Sequence, residues 1–381
     1  MTDSFSPADE IFMRRALELA AGGMLTTKAN PRVGCVLVQH GRIVGEGFHV
    51  RPGDGHAEVN ALAAAPADIT GATVYVTLEP CAHHGRTPPC AQALITAGVA
   101  RVVIAGIDPN PKVDGGGIKL LRAAGIEVQT GLLETSARAL NPGFLARLER
   151  GAPWLRVKVA ASLDGCTALA DGESKWITSA HARADVQQWR ARACAILSGA
   201  DTVLVDDPAL TVRVDSRAQT CDESASDLAQ PLRVVIDGRL RVPATARTFS
   251  LPGACLVACT EAADRGREQA LIAHGVEVLR LPAQDNRIDL GALLQALAAR
   301  EINEIHTEAG PRLVGALLSA GLVDEIIWYT APLLLGAGAQ PAAALGPFAS
   351  MQERLEFSLH ELTQIGPDIR LTLRPSLSAD L

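Results

Sequence analysis

The residues that decide how this chain is read are His56-Ala57-Glu58, Glu79-Pro80-Cys81 and Pro88-Pro89-Cys90. They offer one imidazole and two thiolates, a donor set that favours tetrahedral zinc. Three protein ligands leave a fourth position for water. Glu58, two residues after the histidine, need not ligate the metal. A carboxylate there can move protons for a zinc-activated water.

Working outward, Val33–Val38 and Arg42–Phe48 read as strands joined by the turn Gln39-His40-Gly41. A helix begins near His56 and runs through Ala65, and a buried strand, Ala72–Leu78, delivers Glu79-Pro80-Cys81 at its C-terminal end. Pro88-Pro89 starts the next helix, with Cys90 in its first turn. Ser6-Pro7-Ala8-Asp9 caps a leading helix whose apolar face is Phe12, Ala16, Leu19 and Ala20. Further strands at Arg101–Gly106 and Ile126–Thr130 enclose a helix near Ile118–Ala124, and helices follow at Glu134–Leu140 and Phe144–Arg150. Alternating strands and helices imply a three-layer α/β domain over residues 1–150. His56 and Cys90 lie near helix N-termini, where the dipole stabilises thiolate and lowers its pKa.

The bulk properties narrow the choices. The 381 residues, 48% hydrophobic and 20% charged, suit a globular protein of about two or three domains. Aromatics at 3% and a net charge of −7 argue against a nucleic-acid partner. No signal peptide or membrane-spanning run is apparent, so the eight cysteines point to a reducing cytoplasm. Cys35, Cys166, Cys194, Cys255 and Cys259 read as buried small hydrophobes, and Cys221 as exposed.

Gly151-Ala152-Pro153 reads as a linker to a second α/β unit, residues 151–381. Its strands are expected at Trp154–Ala160, Cys194–Ser198, Arg233–Asp237, Ala254–Cys259, Glu304–Thr307, Glu325–Tyr329 and Asp368–Leu373. Its helices are expected at Ala180–Ala193, Leu290–Ala299 and Pro311–Ala320. The polar run Asp215–Gln230 reads as a surface loop. No Gly-x-Gly-x-x-Gly follows a strand, but Glu308-Ala309-Gly310-Pro311-Arg312-Leu313 joins a strand to a helix start able to receive a pyrophosphate.

His-x-Glu followed by Pro-Cys is the signature of zinc deaminases acting on nucleobases. Here eight residues rather than two separate the cysteines, and the insert ends Gly85-Arg86-Thr87-Pro88-Pro89-Cys90. With Asn30-Pro31-Arg32-Val33-Gly34-Cys35-Val36 and Asp108-Pro109-Asn110-Pro111, this resembles the deaminase half of the bifunctional deaminase/reductase family of riboflavin biosynthesis. Lys158-Val159-Ala160-Ala161-Ser162-Leu163-Asp164-Gly165, Trp176-Ile177-Thr178, Gly199-Ala200-Asp201-Thr202-Val203, Asp206–Arg213, Val323-Asp324-Glu325 and Ala331–Gly336 are similar to the reductase half. The resemblance covers nearly the whole chain.

It implies a cytidine-deaminase-like N-terminal domain and a dihydrofolate-reductase-like C-terminal domain. It also implies one zinc ion held by His56, Cys81 and Cys90, with Glu58 as proton shuttle, and NADPH as second cofactor. First-site substrate contacts would be Asn30, His49, His83 and Arg86. Second-site contacts would be Ser174, Arg190, Leu210, Arg213 and Glu308, with Arg190 and Arg213 gripping the ribose phosphate. Ala160, Trp176, Thr202, Asp206 and Gly310, Pro311, Arg312, Leu313, Val314, Gly315 and Ala316 match cofactor-contact positions. Lys158 is counted with these cofactor contacts; it faces the opposite side of its strand from Val157 and Val159, toward an anion or toward solvent. The small-molecule partner would be a phosphoribosyl pyrimidine, and the assembly a homo-oligomer, dimer or tetramer. One departure is Gly115-Gly116-Gly117, where family members often carry Gly-Lys-Gly.

The residues alone leave rivals open. Arg190 could be a helix-surface charge and Trp176 a core residue. The metal could be purely structural if His83 or His84 were a fourth ligand. One half could be degenerate.

Overall fold

Ser6 caps the first helix as its spacing to Asp9 predicts: the Ser6 hydroxyl accepts from the Asp9 N–H, and the Asp9 carboxylate accepts from the Ser6 N–H. The computed structural model describes residues 5–82, 89–111, 113, 115–213, 229–284 and 287–376. The chain divides into two units, Met1–Gly151 and Ala152–Leu381.

The first unit runs α1 (Pro7–Ala21), β1 (Gly34–Gln39), β2 (Arg42–Phe48), α2 (Ala57–Ala64), β3 (Thr73–Leu78), α3 (Cys90–Thr96), β4 (Arg101–Gly106), α4 (Gly116–Ala123), β5 (Glu127–Thr130), α5 (Glu134–Leu140) and α6 (Pro142–Arg150). Its five-stranded sheet has the order β2-β1-β3-β4-β5. β1 is antiparallel to β2 and β3, while β3, β4 and β5 run parallel. One face carries Cys35, Leu37, Val74, Val76, Val102 and Ile104 against α2, α3 and α4. The other carries Val36, Val38, Tyr75, Val103 and Ala105 against α1 and α5. This is the expected three-layer arrangement. The buried face of α1 is Asp9, Met13, Ala16 and Ala20, so Met13 takes the place expected of Phe12 and Leu19, which are partly buried.

Backbone-to-backbone approach sets α2 on the sheet. A Cβ on Gly47 would lie 2.4 Å from the Ala61 nitrogen and 2.6 Å from the Ala57 carbonyl oxygen, and one on Gly45 would lie 2.5 Å from the Ala61 carbonyl oxygen. Only glycine admits such contact.

The second unit contains β6 (Trp154–Ala161), β7 (Cys166–Ala168), α7 (Ala180–Arg192), β8 (Ala195–Gly199), α8 (Ala200–Asp206), β9 (Leu232–Ile236), α9 (Arg247–Ser250), β10 (Cys255–Thr260), α10 (Arg265–Ala273) and β11 (Glu277–Leu281). Then come β12 (Ala283–Gln284), β13 (Arg287–Ile288), α11 (Leu290–Ala298), β14 (Glu304–Thr307), α12 (Pro311–Ser319), β15 (Glu325–Thr330), β16 (Gln340–Pro341), β17 (Phe357–Ile365) and β18 (Asp368–Pro375). Nine strands form one sheet, ordered β11-β10-β9-β8-β14-β6-β15-β18-β17. All are parallel from β11 to β15; β18 and β17 add an antiparallel edge.

Alternation along β6 separates two chemistries. Leu155, Val157 and Val159 pack with Leu293, Leu297, Val314 and Leu317 of α11 and α12. On the other face, under α7, Arg156 is 1% exposed and pairs with Glu325 at 2.5 Å and Glu304 at 3.2 Å. Arg192 of α7 binds the same Glu304 at 2.8 Å, and Arg374 binds Glu325 at 3.1 Å. The Arg156 guanidinium lies 4.8 Å from the Trp189 ring centre, which adds a cation–π contact. These ion pairs seat α7 together with an apolar cluster of Ala182, Val186, Ile327 and Tyr329.

Cys35, Cys255 and Cys259 are buried as expected, but Cys166 and Cys194 are only partly so. Cys221 and most of the expected surface loop lie outside the described residues.

Candidate functional site

In the first unit, adjacent strand ends and helix starts deliver the donors. His56 is the N-cap of α2, Cys81 follows β3, and Cys90 is the first residue of α3. The His56 Nδ1, Cys81 Sγ and Cys90 Sγ atoms lie within 4.8 Å of one another. Nδ1 is 3.2 Å from the Cys90 sulfur and 3.7 Å from the Cys81 sulfur. Tetrahedral zinc with ordinary Zn–S and Zn–N bonds needs N···S separations of about 3.5 Å. The residues therefore fit that metal. Among the described residues the cluster has three donors, which leaves room for water.

The Cys90 N–H donates to the Cys81 sulfur at 3.3 Å. Hydrogen bonding from Cys90, reinforced by His56, brings the Cys81 thiol down to about 4. The same pairing pushes the Cys90 thiol far up. Two thiols this close hold a single proton between them, with Cys81 as the thiolate. His56 is raised, chiefly by its hydrogen bond to Cys81.

Glu58 sits in the first turn of α2, is 3% exposed, and is pushed up to about 7 by burial. Its carboxylate reaches the Cys90 thiol. A buried carboxyl against this donor cluster, titrating near neutrality, can both take and give a proton.

Asn30 and His49 come together beside this cluster. The His49 ring is 5.6 Å from that of His56. His49 Nδ1 faces the Gly55 carbonyl at 3.1 Å, so it carries the proton, and Nε2 accepts from the Asn30 amide at 2.9 Å. Burial lowers the His49 pKa. The Asn30 loop is pinned by Arg32 and Asn141, whose side chain accepts from the Arg32 N–H at 2.7 Å and donates to its carbonyl at 2.9 Å. His83, His84 and Arg86 lie outside the described residues.

In the second unit, candidates gather at the C-terminal ends of β6, β8 and β14, the usual position for a ligand crevice in a parallel sheet. Arg190 of α7 donates to both Glu308 oxygens, at 2.5 and 2.9 Å, and to the Thr211 carbonyl at 2.9 Å. Arg190 is buried, which removes the rival reading as a helix-surface charge, and in this structure its fork holds Glu308. Burial alone would raise Glu308, but Arg190 and His306 outweigh it and hold the carboxylate well below its usual range. Lys158 shares the α7 face with Arg156; desolvation lowers its pKa against the pull of Glu308. His306, fully buried on β14, lies 3.4 Å from Glu308. No sequence motif pointed to it.

Thr202 of α8 accepts from the Gly310 N–H at 3.0 Å, joining the two turns expected to touch a cofactor. Gly310 starts α12 with no side-chain cap, so first-turn N–H groups remain for an anion. A Cβ on Gly315 would meet the Ala344 carbonyl oxygen at 2.2 Å. Leu313, Val314 and Ala316 continue α12, while Arg312 extends outward to Asp201 at 3.5 Å. Ala160 lies on β6 opposite Tyr329. Trp176 is 69% exposed, beneath the Arg183 guanidinium at 4.3 Å, so it is not core. Leu210 is buried in a left-handed conformation. Asp206 ends α8; Ser174 precedes Trp176; Arg213 is exposed, with its N–H on Gln187. The start of α12 beside Thr202 is the part of this arrangement suited to a dinucleotide pyrophosphate.

Comparison with known proteins agrees. Residues 6–106 match the cytidine and deoxycytidylate deaminase zinc-binding region, and residues 153–371 match the RibD C-terminal domain. The riboflavin biosynthesis protein RibD of Escherichia coli (strain K12) is 49% identical over 96% of this chain and 99% of its own. A solved Acinetobacter baumannii RibD structure superposes with a TM-score of 0.89 at 46% identity, covering 97% of this chain and 99% of that one. A Thermotoga maritima structure described as a diaminohydroxyphosphoribosylaminopyrimidine deaminase/5-amino-6-(5-phosphoribosylamino)uracil reductase has a TM-score of 0.83 at 32% identity, covering 97% and 99%. No helix among the described residues is long and apolar enough to cross a membrane. The chain belongs to the RibD family, and is a bifunctional deaminase and reductase of riboflavin biosynthesis.

Proposed function

We propose that residues 1–150 catalyse hydrolytic deamination of 2,5-diamino-6-(5-phosphoribosylamino)pyrimidin-4-one, and that residues 151–381 reduce the ribosyl group with NADPH to give 5-amino-6-(5-phosphoribitylamino)uracil. The observation that carries the first half is the three-donor cluster with buried Glu58 against it. The name of the Thermotoga relative supports the substrate.

His56, Cys81 and Cys90 would hold one zinc ion, which when bound makes water a nucleophile near neutral pH. Glu58 takes the water proton and delivers it to the departing amino group. Asn30 and the neutral His49 orient the pyrimidine, with His83 and Arg86 as further contacts. NADPH supplies the hydride for the second step. The α12 start, Gly310 to Ala316, with Ala160, Trp176, Thr202 and Asp206, holds the dinucleotide. The desolvated Lys158 joins these cofactor contacts, while Glu308, aligned by Arg190, faces the ribose, with Ser174, Leu210 and Arg213 as additional substrate contacts. The exposed Arg213 is the better placed of the two arginines to meet phosphate. Seven free cysteines among the described residues accord with a cytoplasmic enzyme, and the family resemblance with a homo-oligomer.

Mass spectrometry of the product formed from the diaminopyrimidine, with and without NADPH, tests the reading. Amino-for-oxygen exchange should occur without NADPH, and addition of two hydrogens only with it. Unchanged substrate from zinc-loaded, folded protein would refute the assignment.

A further inference from the structure

Glu79 is 4% exposed and has no ion-pair partner among the described residues. A buried carboxylate without a cation needs hydrogen-bond donors. It finds four, all backbone N–H groups, two between β4 and α4 and two in α4 itself. Oε2 accepts from Asp108 at 3.4 Å and Gly115 at 3.1 Å; Oε1 accepts from Gly117 at 3.0 Å and Ile118 at 3.2 Å. The last two belong to the first turn of α4, where negative charge is also favoured by the dipole.

Glu79 stands two residues before Cys81, and the α4 start packs on the same turn. A Cβ on Gly117 would lie 1.9 Å from the Pro80 carbonyl oxygen, and one on Gly116 would lie 3.1 Å from the Ala82 Cβ. β3 and β4 are adjacent and parallel, so Glu79 and Asp108-Pro109-Asn110-Pro111 emerge at the same sheet edge as the donor cluster. The contact also accounts for a glycine at position 117, since Pro80 occupies the space of any side chain there.

We propose that Glu79 is a positioning residue of the deamination site. It anchors the β4–α4 connection to the Cys81 turn and so fixes the wall that Asp108–Pro111 present to the pyrimidine. This rests on the deamination reading above.

The test uses full-length, zinc-loaded Glu79→Gln and Glu79→Ala. Gln retains one acceptor oxygen and Ala neither. KM for the diaminopyrimidine should rise in that order, by about 10-fold and up to about 100-fold, the range for lost outer-shell contacts at metal sites. Zinc content and the reductase rate on separately prepared deaminated intermediate should match the parent. Amide hydrogen exchange at Gly115, Gly117 and Ile118 should accelerate in both variants. A parental KM in both variants overturns the proposal, as do unchanged exchange rates, or a loss confined to zinc content and kcat. If the parent protein itself fails to deaminate, the assigned reaction is wrong, and the exchange rates alone decide whether Glu79 anchors the connection.

Discussion

Arg190 and Glu308 meet edge to edge, two guanidinium N–H groups on two carboxylate oxygens, just past the C-terminal end of β14. The pair joins α7 to the end of β14, so a helix on one face of the sheet orients a carboxylate at the end of its central strand. A lysine cannot reproduce the planar fork. Arg190→Lys should lower reductase kcat/KM by roughly tenfold, as expected for one charge-assisted hydrogen bond lost. Deamination by the same preparation serves as the internal control.

Glu58→Gln should reduce deamination by about 100- to 10,000-fold, the contribution of a positioned proton-transfer group. Zinc content, measured by atomic absorption, should remain that of the parent, because Glu58 is not among the three donors. Chelation should abolish deamination and spare reduction. A structural zinc site predicts no selective loss in the Gln variant.

Asp9 should make stability pH-dependent at the acid end. Arg101 donates to both its oxygens and Tyr75 to one, holding the carboxyl well below its ordinary value. A depressed folded-state pKa contributes stability above the unfolded value of about 3.9 that is lost as pH falls below it. Asp9→Asn should therefore be less stable at neutral pH, with the gap to the parent closing below about pH 4. Thermal unfolding of the first unit across that range checks it.

Arg156→Ala removes the cation shared by Glu304 and Glu325 under α7. Breaking a buried pair costs about 3–5 kcal/mol. Arg192 and Arg374 remain to serve the two carboxylates, which places the loss near the lower end. All four tryptophans, Trp154, Trp176, Trp189 and Trp328, belong to the second unit. Urea unfolding followed by their fluorescence reads this unit alone.

Legibility in the sequence followed the physics of each element. Strand and helix positions around His56, Cys81 and Cys90 could be read because prolines and apolar runs agree there. The α10 helix and β11 went unread, as did β17, whose side chains are mostly exposed and give no buried alternation. The seating of α7 was also hidden, since its inner face mixes Ala182 and Val186 with the buried Arg190 and has little apolar periodicity. Motifs could bring Arg190 and Glu308 into one site, but only geometry shows that they bind each other. His306 and the four-donor environment of Glu79 depend on long-range placement and leave no local signal.

The glycines beneath α2 bear on how this chain can change. His56 and Glu58 are located by a helix whose backbone rests on strand backbone at Gly45 and Gly47, so no side-chain volume intervenes in their placement. Neighbouring apolar residues can be exchanged for others of similar volume with little effect on where the proton shuttle stands. The two glycines cannot. In a mutational scan, positions 45 and 47 should behave like catalytic residues although neither has a functional group to contribute.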